Sequence, residues 1–305
     1  MIVLAPGILG SHAVIYSDAA RAWLTGADPW QVGPPLAIFA GPPTMLLPFA
    51  PFAFLPHEFT RFGWVGIDLA ISIWAIRRLG LPAYWLAFPP LFEAIVLGHP
   101  EVLVLGLLVV GRDAKARFAA PMAGLAVLVK PYAALPLLAE RRMTALVVAA
   151  AATAATILFL PWARFLDELP GIGANLARQN VGDSTYGAPL LMAIAVIALA
   201  ALGPRRALWL AVPVLWPYAQ PIYKVMSIPV MPAVLAVLWA LPVPGLTLAS
   251  VVGLAVLTLI ERRRALPPWL ERGIRPASKA FERSGGTPAP GATGIAATAM
   301  KTSLA

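Results

Sequence analysis

Long apolar runs, separated by short polar or proline-containing turns, fill most of the chain. A helix that crosses the roughly 30 Å hydrocarbon layer of a membrane needs about 20 predominantly apolar residues. Some of the runs reach that length and others are about half of it. The pattern predicts an all-α, multispanning membrane helix bundle of about nine or ten apolar segments, at residues 36–55, 59–76, 82–97, 101–110, 118–139, 143–160, 187–202, 208–217, 222–240 and 246–260.

Breaks inside these runs predict that the bundle is irregular. Gly98-His99-Pro100 separates two short apolar pieces, and Lys130-Pro131-Tyr132 interrupts a longer one. Non-helical backbone at membrane depth is tolerated only where it is buried in protein or lines a cavity. We therefore expect broken and re-entrant helices around an internal cavity.

Two polar stretches, residues 11–36 and 162–186, interrupt the apolar pattern, and we expect both on the same outer side of the membrane. The first contains His12, Asp18, Arg21 and Asp28 and is long enough to hold a site. The plainer interpretation is an ordinary extramembrane loop in which Asp18 pairs with Arg21 one helical turn later.

Composition narrows the classes of protein that fit. The chain is 60% apolar and only 12% charged, against roughly 25% charged residues in soluble domains. The absence of cysteine excludes disulfides and thiolate metal sites. The three histidines, at 12, 57 and 99, do not have metal-ligand spacing, so we expect neither a metal nor another cofactor.

The net charge of +9 is concentrated at the C-terminus. Residues 262–305 carry eight Lys and Arg against two Glu, or +6 of the total. Basic juxtamembrane segments are attracted to anionic lipid, so we predict a membrane domain at 1–261 and a basic, largely disordered cytoplasmic tail at 262–305. No aromatic and basic residues interleave as on a nucleic-acid-binding module, so nucleic acid is not an expected partner. Residues 1–10 are apolar but too short to span, which suggests an incomplete first helix.

Several landmarks occur in an order that resembles a known family. The run from Tyr16 to Trp30 (YSDAARAWLTGADPW) is followed by Pro34-Pro35-Leu36, Gly98-His99, Lys130-Pro131-Tyr132 with Glu140-Arg141-Arg142, and Pro217 twelve residues before Pro229. Over residues 12–240 this order is similar to the C-type (GT-C) polyprenyl-phosphate-sugar-dependent glycosyltransferases of family 87, which include mannosyl- and arabinofuranosyltransferases. The chain departs from the family pattern at three positions: His12 stands where the family has its catalytic Asp, His99 where Gln is usual, and Ile222 where a polar residue is common.

The resemblance implies a multi-pass enzyme of the bacterial cytoplasmic membrane. Such an enzyme would move a mannose- or pentose-like sugar, with inversion, from a polyprenyl phosphate donor to a cell-envelope lipid or glycan acceptor on the extracytoplasmic face. Two other classes stay open. Broken helices with buried charges also suit a transporter or lipid flippase, although no internal repeat is visible, and the departures at His12 and His99 allow a catalytically silent membrane scaffold.

Transfer from a lipid-phosphate sugar needs a base near the acceptor hydroxyl and cations near the departing phosphate. Among residues that could be the base, a carboxylate in a dry pocket has a raised pKa, whereas histidine titrates near neutrality without help. Buried lysines in apolar helices usually face a cavity, although Lys130 can also snorkel to an interface. We predict the catalytic residues, in order of preference, as Asp18, His12 and Asp28. The predicted phosphate-binding residues are Lys130, Lys224 and Arg178. The predicted pocket residues are Tyr16, Trp30, His99, Glu101, Tyr132 and Tyr223.

Overall fold

The computed structural model describes residues 8–34, 38–113, 116–179, 184–217, 219–241, 243 and 245–263. Within these ranges the chain is helical and forms no β-strand, which confirms the all-α prediction. The predicted cytoplasmic tail lies, apart from its first two residues, outside the described residues. The α-helices are α1 (Ser11–Leu24), α2 (His57–Arg78), α3 (Pro89–Leu97), α4 (Glu101–Asp113), α5 (Ala116–Val129), α6 (Ala134–Ala139), α7 (Met143–Thr156), α8 (Trp162–Gln179), α9 (Pro189–Leu202), α10 (Pro204–Leu215), α11 (Ala233–Trp239) and α12 (Leu246–Arg263).

The first polar stretch is mostly a helix rather than a loop. Gly10, with φ of 63°, turns the chain into α1. Asp18 and Arg21 find partners in neighbouring elements: Asp18 lies 3.0 Å from His57 at the start of α2, and Arg21 donates to the carbonyl of Ala53 at 2.5 Å. These contacts replace the Asp18–Arg21 pair that the sequence allowed.

The buried apolar side chains form two clusters. The smaller one surrounds α1 and contains Tyr16, Trp30, Phe49 and Trp64. The larger one joins α3 to α6 with α9 to α12 and contains a buried 3₁₀ helix at Pro221–Val230. The break between α3 and α4 lies where the two clusters meet. Gly98 in this break packs so closely on α1 that the Cβ of an alanine there would lie 2.9 Å from the Cβ of Ala13.

Both predicted helix breaks are present. The axes of α3 and α4 differ by 111° across Gly98, His99 and Pro100, and Gly98 adopts φ of 66°. A left-handed residue after the last helical turn is a common helix ending, and glycine adopts it without steric cost. Lys130 is extended (φ −141°) and ends α5 before a 3₁₀ turn at Pro131–Ala133. Both breaks therefore leave a polar side chain between two helices.

The second polar stretch forms α8, an amphipathic helix that packs on the segment following α1. The rings of Phe165 and Trp30 lie 5.4 Å apart, and the Gln31 amide is 3.4 Å from the Glu168 carboxylate. The two polar stretches are thus in contact with each other.

One helix among the described residues, α2, is by itself long and apolar enough to cross a membrane. The bent pair α3–α4 would supply a second such segment if it acts as one span. Shorter apolar helices occur at Arg117–Val129, Met143–Thr156 and Pro189–Leu202.

Small residues allow α4, α5 and α7 to pack closely. A Cβ added at Gly111 of α4 would lie 2.8 Å from the Cβ and 3.0 Å from the backbone nitrogen of Ala123 in α5. One added at Gly124 of α5 would lie 3.1 Å from the carbonyl oxygen of Ala145 in α7. Backbone atoms cannot move aside as a flexible side chain can, so these glycines set the helix separation.

Replacing Gly111 with alanine should destabilise the protein by about 1–3 kcal/mol, because the added methyl overpacks the contact between α4 and α5. The matched control is Gly66→Ala in α2, where an added Cβ meets no atom within 4 Å. The control should be neutral or slightly stabilising, by up to about 1 kcal/mol, since alanine is the better helix former. Thermal unfolding of the purified variants measures both, and equal shifts in the two variants would contradict the packing argument.

Candidate active site

A cavity of about 130 Å³ lies between the smaller and the larger apolar cluster. Its apolar wall includes Ile15 and Leu176. Six polar side chains line the rest of it, and they come from both ends of the described chain: His12, Tyr16, His99, Lys130, Gln220 and Tyr223.

Helix geometry and helix breaks bring these side chains together. His12 and Tyr16 are four residues apart, so they lie on one face of α1. His99 lies in the break between α3 and α4, and Lys130 lies at the end of α5. A polar residue at a break can leave the helix surface and point into the cavity without a neighbouring turn in its way.

The 3₁₀ helix Pro221–Val230 supplies the far wall. Side chains three residues apart eclipse each other in a 3₁₀ helix, which puts Gln220, at its N-cap, and Tyr223 on the same side. Lys224 follows on a different side, where its ammonium lies 5.8 Å from the ring of Trp239. The three-residue repeat therefore places Tyr223 at the cavity and Lys224 on another side, although the sequence predicted both residues in one site.

Behind the cavity wall, the Glu101 carboxylate is completely buried. It lies 3.3 Å from the Lys130 ammonium and accepts a hydrogen bond of 2.5 Å from the Tyr132 hydroxyl. Its second oxygen lies against Nδ1 of His99. Nε2 of the same histidine is 3.3 Å from the Tyr16 hydroxyl, so a chain of polar contacts runs from the buried carboxylate to the cavity.

His12 has the properties of a neutral base. Burial, assisted by the nearby Lys130 charge, lowers the pKa of His12 to about 4, so the ring is unprotonated at neutral pH. Its Nδ1 is buried and has no hydrogen-bond partner among the described residues. Burial also raises the pKa of Tyr16 to about 12, so this hydroxyl keeps its proton.

The predicted acidic bases lie elsewhere. Asp18 points away from the cavity and pairs with His57 at the surface. Asp28 accepts a hydrogen bond of 2.9 Å from the Trp30 backbone and caps the 3₁₀ turn Pro29–Gln31. Trp30 is 1% exposed and donates to the Gly41 carbonyl, so it packs in the smaller cluster.

The other predicted residues divide as follows. Lys130, Tyr16, His99 and Tyr223 line the cavity, whereas Glu101 and Tyr132 support it from behind. The side chain of Arg178, near the end of α8, lies outside the described part of the structure. Sequence reasoning missed Gln220, and a three-residue repeat counted back from Tyr223 is the signal that could have found it.

Among the described residues, no group of three or more histidine and acidic side chains is placed to hold a metal ion.

Comparison with known families identifies the class of protein. The model of glycosyltransferase family 87 matches residues 39–272, which is more than half of the chain. The protein is thus a glycosyltransferase-family protein, and it belongs to glycosyltransferase family 87, as the sequence landmarks predicted. No curated protein and no solved structure matches the chain. His99, Lys130, Gln220 and Tyr223 lie inside the matched region, and His12 and Tyr16 precede it.

Replacing Lys130 with methionine should raise the pKa of His12 above its value of about 4, because a cation that disfavours the imidazolium is removed. The charge left on Glu101 acts in the same direction. An NMR pH titration of the histidine resonances measures the shift. Lys224→Met is the matched control, since this buried lysine lies at Trp239 and should leave His12 unchanged. A wild-type His12 that titrates near 6.5 would contradict the argument.

Proposed function

We propose that the protein is an inverting membrane glycosyltransferase that moves a mannose- or pentose-like sugar from a polyprenyl phosphate to a cell-envelope lipid or glycan acceptor. The observation that carries this proposal is the pairing, in one cavity, of a neutral histidine with a buried lysine. Membership of family 87 supports a glycosyltransferase activity.

Exposed apolar helix faces support a multi-pass location in the bacterial cytoplasmic membrane. Val147 of α7, Leu190 and Ile197 of α9, and Val237 of α11 are each 67–74% exposed. Helices on the surface of a soluble domain carry polar residues on the outward face, and large exposed apolar areas mark interaction sites or membrane contact. Lipid would cover these faces even where a single helix is shorter than a full span.

The basic turns support an extracytoplasmic cavity. Arg77 and Arg78 end α2, and arginine-rich ends of spans favour the cytoplasmic side. The opposite end of α2 begins at His57, which pairs with Asp18 of α1. Because α1 lines the cavity, the cavity lies toward the end of α2 that would face outward.

The cavity suits a donor with a charged phosphate. Lys130 is 8% exposed and its ammonium lies 5.4 Å from the ring centre of Tyr223. An ammonium has three donors, so Lys130 could contact a phosphate oxygen while it keeps its contact with Glu101. Anionic charge that develops on the departing phosphate would be stabilised there in a water-poor environment.

The reaction would be a single displacement. The acceptor oxygen forms a bond to the anomeric carbon while the bond from that carbon to the phosphate oxygen breaks. His12 takes the proton of the acceptor hydroxyl, and the polyprenyl phosphate leaves with the electron pair beside Lys130. Attack opposite to the leaving group inverts the anomeric carbon. His12 replaces Asp18 as the first candidate base because Asp18 is engaged with His57 outside the cavity.

Sugar transfer by the full chain in lipid nanodiscs tests the proposal. The protein is offered radiolabelled polyprenyl-phosphate mannose and pentose donors with a membrane-lipid extract as acceptor. His12→Ala should lower transfer by about 10²–10⁴-fold, the usual contribution of a general base. Asp18→Asn should keep most of the activity, because this side chain lies at the surface.

The opposite ranking of the two variants would return the role of base to Asp18. The anomeric configuration of the product, read by NMR, decides between inversion and retention. Movement of the labelled donor between leaflets without transfer would favour a transporter, and neither transfer nor movement would favour a silent scaffold.

A further inference from the structure

The Glu101 carboxylate receives contacts from three elements, although it does not line the cavity. Lys130 reaches it from the end of α5, Tyr132 from the following 3₁₀ turn, and His99 from the α3–α4 break. Glu101 itself begins α4. A carboxylate buried this completely requires paired donors, since an unpaired buried charge is strongly destabilising.

The contact with His99 bears on which nitrogen of that ring carries the proton. An ionised carboxylate only accepts hydrogen bonds, so the position of Nδ1 against Glu101 favours the tautomer with the proton on Nδ1. Nε2 then has a free lone pair, and the Tyr16 hydroxyl at 3.3 Å can donate to it.

The contacts of Glu101 connect it to the cavity. His99 and Lys130 line the cavity, and Glu101 touches both from behind. One carboxylate therefore sets the orientation of a ring at the cavity wall and the place of the ammonium next to it. Partners of this kind orient a histidine and fix its tautomer in many active sites.

Resting on the proposed function, we propose that Glu101 is the positioning residue of this site. It holds His99 as the Nδ1–H tautomer, with the basic Nε2 directed at Tyr16 and the cavity. It also holds the Lys130 ammonium where the donor phosphate would bind. Glu101 acts through these two side chains and does not touch the substrate.

The first test is nitrogen-15 NMR of the full chain labelled at histidine. The chain has only three histidines, and loss of a signal in His99→Asn assigns that residue. Wild-type His99 should show the Nδ1–H tautomer, and Glu101→Gln should shift it toward the Nε2–H tautomer or a mixture. A wild-type His99 in the Nε2–H form overturns the proposal, as does a spectrum that Glu101→Gln leaves unchanged.

The second test compares activity in two variants, each of which loses one carboxylate. Glu101→Gln should lower kcat on the order of tenfold or more, as expected when the partner that orients a histidine is lost. Glu140→Gln is the matched control, because the Glu140 side chain is only 9% exposed and lies near Arg112 and Arg142. This control should leave the His99 spectrum and the kcat of the folded protein unchanged. Equal losses of kcat in the two variants would reduce Glu101 to a structural role.

The NMR measurement also separates the two proposals. The tautomer of His99 is read without any turnover, so it decides the role of Glu101 even if no sugar is transferred. Active protein with the wrong tautomer overturns the positioning role alone.

Discussion

A carboxylate buried away from water must be surrounded by donors, and Glu101 imposes this constraint on the centre of the protein. Its donors come from two helix breaks that are far apart in sequence, so the larger cluster must bring α4 and the end of α5 together. The break before α4 also places the carboxylate in the first turn of a helix, where the helix dipole favours negative charge. The irregular backbone at residues 98–100 and 130–133 is thus tied to one electrostatic requirement.

The cavity takes its character from the meeting of the two apolar clusters. The smaller cluster contributes α1, and the larger one contributes the helix breaks and the Pro221–Val230 segment. The neighbouring Lys130 and Glu101 offset each other, so the cavity is not simply cationic. Selection of an anionic ligand would then depend on where the ammonium is held and on the neutral state of His12, rather than on net charge.

The sequence predicted those parts of the fold that depend on local chemistry. Glycine and proline act within a few residues, so the breaks at Gly98 and at Lys130-Pro131 were predictable. Side-chain directions depend on distant neighbours and were not. The sequence ranked Asp18 first because its partner His57, 39 residues away, could not be anticipated. Lys224 was assigned to the same site as Tyr223, but in a 3₁₀ helix these adjacent side chains point to different sides. Asp28, the third predicted catalytic residue, instead caps the local 3₁₀ turn Pro29–Gln31.

The Pro221–Val230 segment makes the order of assembly matter. Its residues from Lys224 onward are buried against α3, α4 and α10, and two prolines deprive it of backbone donors. A segment of this kind is a poor independent helix, so it becomes stable only after the helices that precede it in the chain have packed. Gln220 and Tyr223 complete a cavity that begins with His12. A ribosome must therefore have synthesised more than two thirds of the chain before the site can exist. A nascent chain halted earlier contains the cavity residues of α1 but lacks Gln220 and Tyr223.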